Sequence, residues 1–340
     1  MLTLDVLKSI RLSPVPWSQI AVAGGVLMPN YKNPWTRTEI TLEGAENLPD
    51  HPVIFAMNHT DRYNYWPFQY RIWRDLKLYT TTWVKGKYYN KPAVRAFMIK
   101  TNNLAVPSRG YLITADAHAL LGKPPSEKAY RLIRDAINGQ STDTRALREA
   151  AAEAGVLKEV VTLLDTPRDM LGYGFEPSQE NYLEAMANLF LEMMECFVAL
   201  NEQAFALGLN ILVFPEGTRS IRLGQGKPGL AQMALRMKAT VVPVGCNGSH
   251  EVYPGDSPFA KGGRIVYRIG EPLRPDVELK EFQIDEEFTP FSFAAEERYQ
   301  EVFQPMTDLV MDRIAGLLDE RHLPSDDEGA KSVEGAKRFL

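Results

Sequence analysis

Two short apolar runs, residues 53–56 and residues 211–213, each lead directly into a cluster of chemically active polar side chains. Brief apolar runs bounded by turn residues read as buried strands. A chain that delivers polar groups at the ends of buried strands has few folds open to it. The surrounding pattern narrows them further. Residues 38–42 alternate as a strand does, and residues 78–84 and 104–106 read as further strands, with helical patterns at 65–74 and 92–100 between them. Residues 182–206 place Leu183, Met186, Leu189, Phe190, Met193, Met194, Phe197 and Val198 at helical spacing, and Gly208 ends that helix before the strand at 210–214. Alternation of this kind predicts an α/β sheet whose functional groups collect at strand ends.

The later cluster is Phe214-Pro215-Glu216-Gly217-Thr218-Arg219-Ser220. A glycine turn that exposes backbone N–H groups, with an arginine able to donate in a fork, suits a phosphate monoester. The earlier cluster is Asn58-His59-Thr60-Asp61-Arg62-Tyr63-Asn64, in which His59 has the titration range of a general base. Lys227 stands just before the helical run at 230–238, where anions are favoured. The sequence contains no GxxxxGK[ST] or GxSxG motif, and its GxGxxG string at 224–229 does not directly follow the strand expected at 210–214, so nucleotide phosphate binding and serine-nucleophile chemistry lack support.

Together these blocks resemble the glycerolipid acyltransferase family of the lysophosphatidic acid and glycerol-3-phosphate type, the PlsC-like enzymes. That family carries Asn-His-x4-Asp, an arginine-bearing block, Phe-Pro-Glu-Gly-Thr-Arg-Ser and a Val-Pro-Val block. Here Ala105-Val106-Pro107-Ser108-Arg109-Gly110 takes the second place and Val241-Val242-Pro243-Val244-Gly245 the fourth. The resemblance implies an α/β fold with a mixed central sheet flanked by helices. It also implies acyl transfer from acyl-CoA or acyl carrier protein to a hydroxyl of a lysophospholipid or glycerol phosphate. On that reading His59 is the base. Glu216 and Gly217 hold the acceptor's glycerol part, Arg109, Arg219 and Lys227 hold its phosphate, and Thr218 is counted with them as substrate-binding. No metal or further cofactor is implied, because a thioester is already an activated donor.

One position departs from the family. The aspartate five residues after the histidine is Asn64, and the serine two residues after it is Asp61. Asparagine can accept the imidazole N–H and fix its tautomer but supplies no negative charge. Asp61 supplies the charge, and a carboxylate two residues from the base favours it as the partner. Spacing alone leaves Asp61 and Asn64 both open. The lost aspartate also motivates two alternatives: a catalytically silent phospholipid-binding protein, and an acyltransferase for a different lipid acceptor.

Composition sets outer bounds. Charged residues make up 24% of 340 and the net charge is −5, so no global basic field exists for nucleic acid and an anionic substrate must be met by local Lys and Arg. Cys196 and Cys246 are the only cysteines, which fits a reducing compartment and no cysteine-based zinc site. Residues 20–28 are apolar but fall short of the ~20 residues a spanning helix needs. The expectation is a cytoplasmic protein, peripheral on the membrane face, with residues 1–36 as a membrane-surface segment. All five tryptophans precede residue 84, amid tyrosines and lysines, which suits either a bilayer interface or a packed helical layer. Residues 37–275 form the expected acyltransferase domain, with a helical insertion at about 111–181 that includes helices at 127–138 and 144–164. Residues 276–340 read as an acidic loop, a helix at 294–318 and a loose polar tail beginning near Pro324.

Overall fold

The protein was analysed as a computed structural model, which describes residues 1–324. The polar tail expected beyond Pro324 lies outside the described residues. A seven-stranded sheet forms the centre, comprising β1 (Thr38–Glu43), β2 (Ile54–Met57), β3 (Thr80–Lys85), β4 (Asn103–Val106), β7 (Asn210–Val213), β8 (Val241–Asn247) and β9 (Gly263–Ile269) in the order β1-β9-β8-β2-β7-β3-β4. The short strands β5 (Arg168–Asp169) and β6 (Gly174–Phe175) make a separate antiparallel hairpin. From β8 to β4 all neighbours pair in parallel, whereas β9 runs antiparallel to β8 and carries β1 parallel to itself. The sheet is therefore mixed, as the resemblance implied.

Strand periodicity sorts the core into two layers. Ile54, Ala56, Ile211 and Val213 face one apolar cluster, while Phe55, Met57, Leu212, Val242 and Val244 face the other. The first layer is covered by α1 (Leu4–Ser9), the insertion helices, α10 (Tyr182–Ala206), α11 (Gly229–Met237) and α13 (Phe293–Ala315). The second is covered by the N-terminal helices α2 (Trp17–Val22) and α3 (Met28–Lys32), joined by a widened turn, and by α4 (Tyr65–Arg71) and α12 (Ser249–Val252). The helix α5 (Pro92–Lys100) links β3 to β4. A capping box between Asn181 and Glu184 starts α10, and Gly208, at φ 77°, turns the chain into β7.

The insertion holds more helix than its pattern suggested. The helix α6 (Arg109–Leu121) begins at Arg109 itself, capped by Ser108, and α7 (Glu127–Asn138) follows as expected. The single helix expected at 144–164 is two, α8 (Thr144–Glu153) and α9 (Leu157–Asp165), because Gly155 adopts φ 74° and breaks the ladder. The strand β9 had not been anticipated. At the N-terminus, α1 is no surface element, since Leu2, Leu4, Leu7 and Ile10 are buried against the first core. Of the tryptophans, only Trp17 and Trp35 stand mostly in solvent, at 73% and 92% exposure. The aromatic-rich quarter is thus largely a packed layer.

A buried charge pair ties the insertion to α10. Arg168 meets Asp116 through two hydrogen bonds of 2.9 and 2.7 Å, and the Tyr182 hydroxyl donates to the same carboxylate at 3.0 Å. Their side chains are 10% and 1% exposed. Removing one member of such a pair leaves an uncompensated buried charge, which costs about 3–5 kcal/mol. Asp116→Ala is expected to lose stability on that scale in chemical denaturation. A double Asp116→Leu, Arg168→Met variant is expected to regain most of it.

Candidate active site

Parallel pairing of β2 with β7, Ala56 opposite Val213, brings the two polar clusters side by side at the carboxyl ends of adjacent strands. The chain leaves β2 toward β3 and leaves β7 toward β8, in opposite directions across the sheet, and such a crossover opens a crevice for ligand. The clusters are bonded together through the backbone of His59. Its N–H donates to Glu216 Oε2 at 2.7 Å, and its C=O accepts from Ser220 N–H at 2.8 Å. The other Glu216 oxygen accepts from Gly224 N–H at 2.8 Å. Gly217 takes φ 65° and closes the turn onto the Phe214 carbonyl at 3.0 Å. A Cβ at Gly217 would approach the Lys227 side chain to 3.3 Å, so Lys227 lies along the turn. Thr218 is half-buried beside it.

The structure decides between the two partners proposed for the histidine. His59 Nδ1 lies 3.1 Å from Asn64 Oδ1, and Asn64 Nδ2 donates to the Asn58 carbonyl at 2.8 Å. The amide nitrogen must face that carbonyl, so its oxygen faces the ring. Nδ1 therefore carries the proton and Nε2 keeps its lone pair. Phe214 stacks on the imidazole with ring centroids 4.0 Å apart and planes at 18°. Asp61 is not the partner favoured from its charge. Its oxygens accept from Tyr63 N–H at 2.8 Å and from the Thr60 hydroxyl at 3.0 Å, so the carboxylate closes its own turn.

Burial and neighbouring charge shape the ionisation of the site. Desolvation pushes His59 down to about 3; the Asn64 hydrogen bond opposes this, and Arg219 and Lys85 push it further down. Burial raises Glu216 to about 7 against the pull of the Gly224 and His59 N–H groups. Asp61 is likewise raised by burial. Arg219 and Lys85 act on His59, and Arg219 and Arg62 act on Lys87, so these cations form one group with Arg219 shared between its two halves. Asp256 lies 3.3 Å from Arg62 and 4.0 Å from Arg219. Arg62, Lys85 and Lys87 were not singled out as site residues from the sequence. Lys85 had a usable signal, since it directly follows the strand expected at 78–84. Arg109, by contrast, is not brought to this group by its contacts. It pairs with Glu296 at 3.2 Å and lies over the Phe190 and Phe293 rings, at 4.6 and 3.9 Å from their centroids, so it braces α6 against α10 and α13.

Residues 186–247 match the profile of a family described as Acyltransferase. That segment includes most of α10, β7, the glycine turn, α11 and β8. Among solved structures the chain is similar to the 1-acyl-sn-glycerophosphate (LPA) acyltransferase PlsC from Thermotoga maritima, at 15% identity and a TM-score of 0.37, over 86% of this chain and 81% of that one. No curated protein matches the chain significantly.

The geometry fixes the sign of a titration. A histidine held neutral by burial stays deprotonated through the range where an ordinary one charges, so the His59 ring signals are expected to stay unchanged in NMR between pH 7 and 5. Asn64→Asp puts an anion against Nδ1, stabilises the imidazolium and is expected to move the titration upward. Asp61→Asn is expected to shift it far less.

Proposed function

We propose that this chain, whose residues 186–247 match the acyltransferase family profile, moves a fatty acyl group from a thioester to a hydroxyl of a phosphate-bearing glycerolipid. The observation that carries this reading is the lone pair on Nε2 of His59, its tautomer fixed by Asn64 and its ring within the influence of Arg219 and Lys85. The acceptor is a lysophospholipid or glycerol phosphate, and the donor is acyl-CoA or acyl carrier protein. The acceptor oxygen attacks the thioester carbonyl carbon as its proton passes to Nε2. Collapse of the tetrahedral adduct breaks the C–S bond, and the imidazolium returns the proton to the departing thiolate. The products are an ester and a free thiol.

Asn64 supplies orientation without charge in this scheme, so the imidazolium needs stabilisation from elsewhere. The acceptor can provide it. Arg219 and Lys85, which depress the base, are the groups a phosphate dianion would pair with; binding therefore relieves the pressure on His59 and raises its basicity in the complex. Glu216 and Gly217 meet the glycerol part, with Lys227 alongside the turn. The lipid would be met at a membrane surface. Trp17, Val26, Met28, Trp35 and Phe259 are all exposed, and no helix among the described residues is long and apolar enough to cross a membrane.

Purified protein offered a panel of lysolipids with acyl-CoA and acyl carrier protein, read by lipid mass spectrometry, tests the proposal. His59→Ala is expected to lose about 10²–10⁴-fold in kcat, the usual contribution of a positioned base. Retention of activity within about tenfold of the parent would sink the assignment. Arg219→Ala is expected to raise the acceptor KM with little change in kcat, since a ground-state charge contact is worth about 1.5–3 kcal/mol. Lysolipid binding without turnover in the parent would instead support the silent lipid-binding alternative.

A further inference from the structure

Beyond α13 the chain forms an arm, residues 316–324, that returns to the sheet. Leu317 lies against Gly245, where a Cβ would come within 2.6 Å of the Leu317 carbonyl oxygen. That carbonyl accepts from Arg268 at 3.0 Å and from the Asn247 amide at 3.1 Å, and Asp319 N–H donates to Asn247 Oδ1 at 2.7 Å. Arg321 pairs with Glu251. These contacts fasten the arm across β8 and β9.

The arm carries a histidine with no exposed surface, His322, whose two ring nitrogens are both used. Nε2 accepts from Gly248 N–H at 3.3 Å, so the proton sits on Nδ1, which donates to the Ile221 carbonyl at 2.7 Å. The His322 carbonyl also accepts from Leu223 N–H at 2.8 Å. Residues 219–224 have no regular structure; Leu223 is buried in the first core, but Ile221 is 52% exposed, so packing does not fix the Ile221 end of the stretch. The next residue, Gly224, donates to Glu216, and Glu216 receives the N–H of His59.

We infer that His322 is a positioning residue for the reactive centre: by anchoring Ile221 and Leu223 it sets where Gly224 meets Glu216, and through that carboxylate it sets His59 on its strand end. The inference rests on the reading of His59 as the base. Its structural half can be measured without any substrate.

Three variants of the full chain separate this role from simple packing. Asparagine puts an amide nitrogen where Nδ1 stands and can keep the bond to Ile221, glutamine puts a polar atom where Nε2 stands and faces Gly248, and alanine keeps neither. The readouts are amide hydrogen exchange at Gly224 and His59, with β8 amides as the control for the fold, and steady-state kinetics. His322→Ala and His322→Gln are expected to speed exchange at Gly224 and His59 by about tenfold or more with β8 unchanged. They are also expected to lower kcat by at least about tenfold while the acceptor KM moves less. His322→Asn is expected to restore both readouts to near the parent. Unchanged exchange at Gly224 and His59 in His322→Ala would overturn the inference. So would equal behaviour of the Asn and Gln variants, a comparison that decides the matter even if the alanine variant loses β8 protection. A parent without turnover that still shows the exchange pattern would remove the acyltransferase reading and leave the clamp standing.

Discussion

The Glu216 carboxylate stands between two backbone N–H groups, one from His59 at the end of β2 and one from Gly224 past the glycine turn, and the site depends on that bridge. Sheet pairing brings β2 and β7 together only as far as Ala56 and Val213. Beyond that point the two chains diverge into irregular backbone, and the carboxylate takes over the work the ladder did. The arrangement opposes stability over part of the pH range. Burial raises Glu216 from the ordinary carboxylate range to about 7. A raised folded pKa contributes stability that is complete below the unfolded value and is lost as pH rises through about 7. Above that pH the protein holds a buried anion on two N–H groups, in exchange for a fixed histidine backbone.

The histidine side chain is organised on the opposite principle, with no anion at all. Asn58 spends its amide on Cys246, accepting its N–H and donating to its C=O, so it extends β8 pairing by a side chain. Its own carbonyl then receives the Asn64 amide and thereby decides which end of Asn64 faces the ring. The orienter is itself oriented, two residues deep, by the sheet. What a carboxylate would add in charge this site lacks, and the stacked Phe214 ring keeps the surroundings apolar.

Much of this was legible in the sequence because strand ends announce themselves: a short apolar run followed by polar residues placed β2 and β7, and the glycine turn placed Glu216 and Arg219 on one loop. The choice between Asp61 and Asn64 was not legible. Both spacings are irregular, and charge favoured Asp61, but a free N–H two residues on, at Tyr63, captured the carboxylate locally before the ring could. Arg109 misled for a related reason. Its block reads as a strand end, yet the side chain is drawn away by Glu296 and two phenylalanines that lie far along the chain. The arm bearing His322 left no local signal, since its role exists only through contacts with residues about a hundred positions earlier.

Asp256 gives the cationic group a further property. Its carboxylate sits on an exposed loop between Arg62 and Arg219, held by contacts of 3.3 and 4.0 Å that solvent screens. One carboxylate set against Arg62, Arg219, Lys85 and Lys87 leaves this group net positive even with its tethered counter-ion. A solute carrying one carboxylate would merely exchange one anion for its equal and surrender its freedom of motion in doing so. A phosphate monoester arrives with up to two charges and three acceptor oxygens, and gains more by the exchange. The loop thus carries a tethered competitor at the rim of the cationic group, and a multivalent anion displaces it more readily than a monovalent one does.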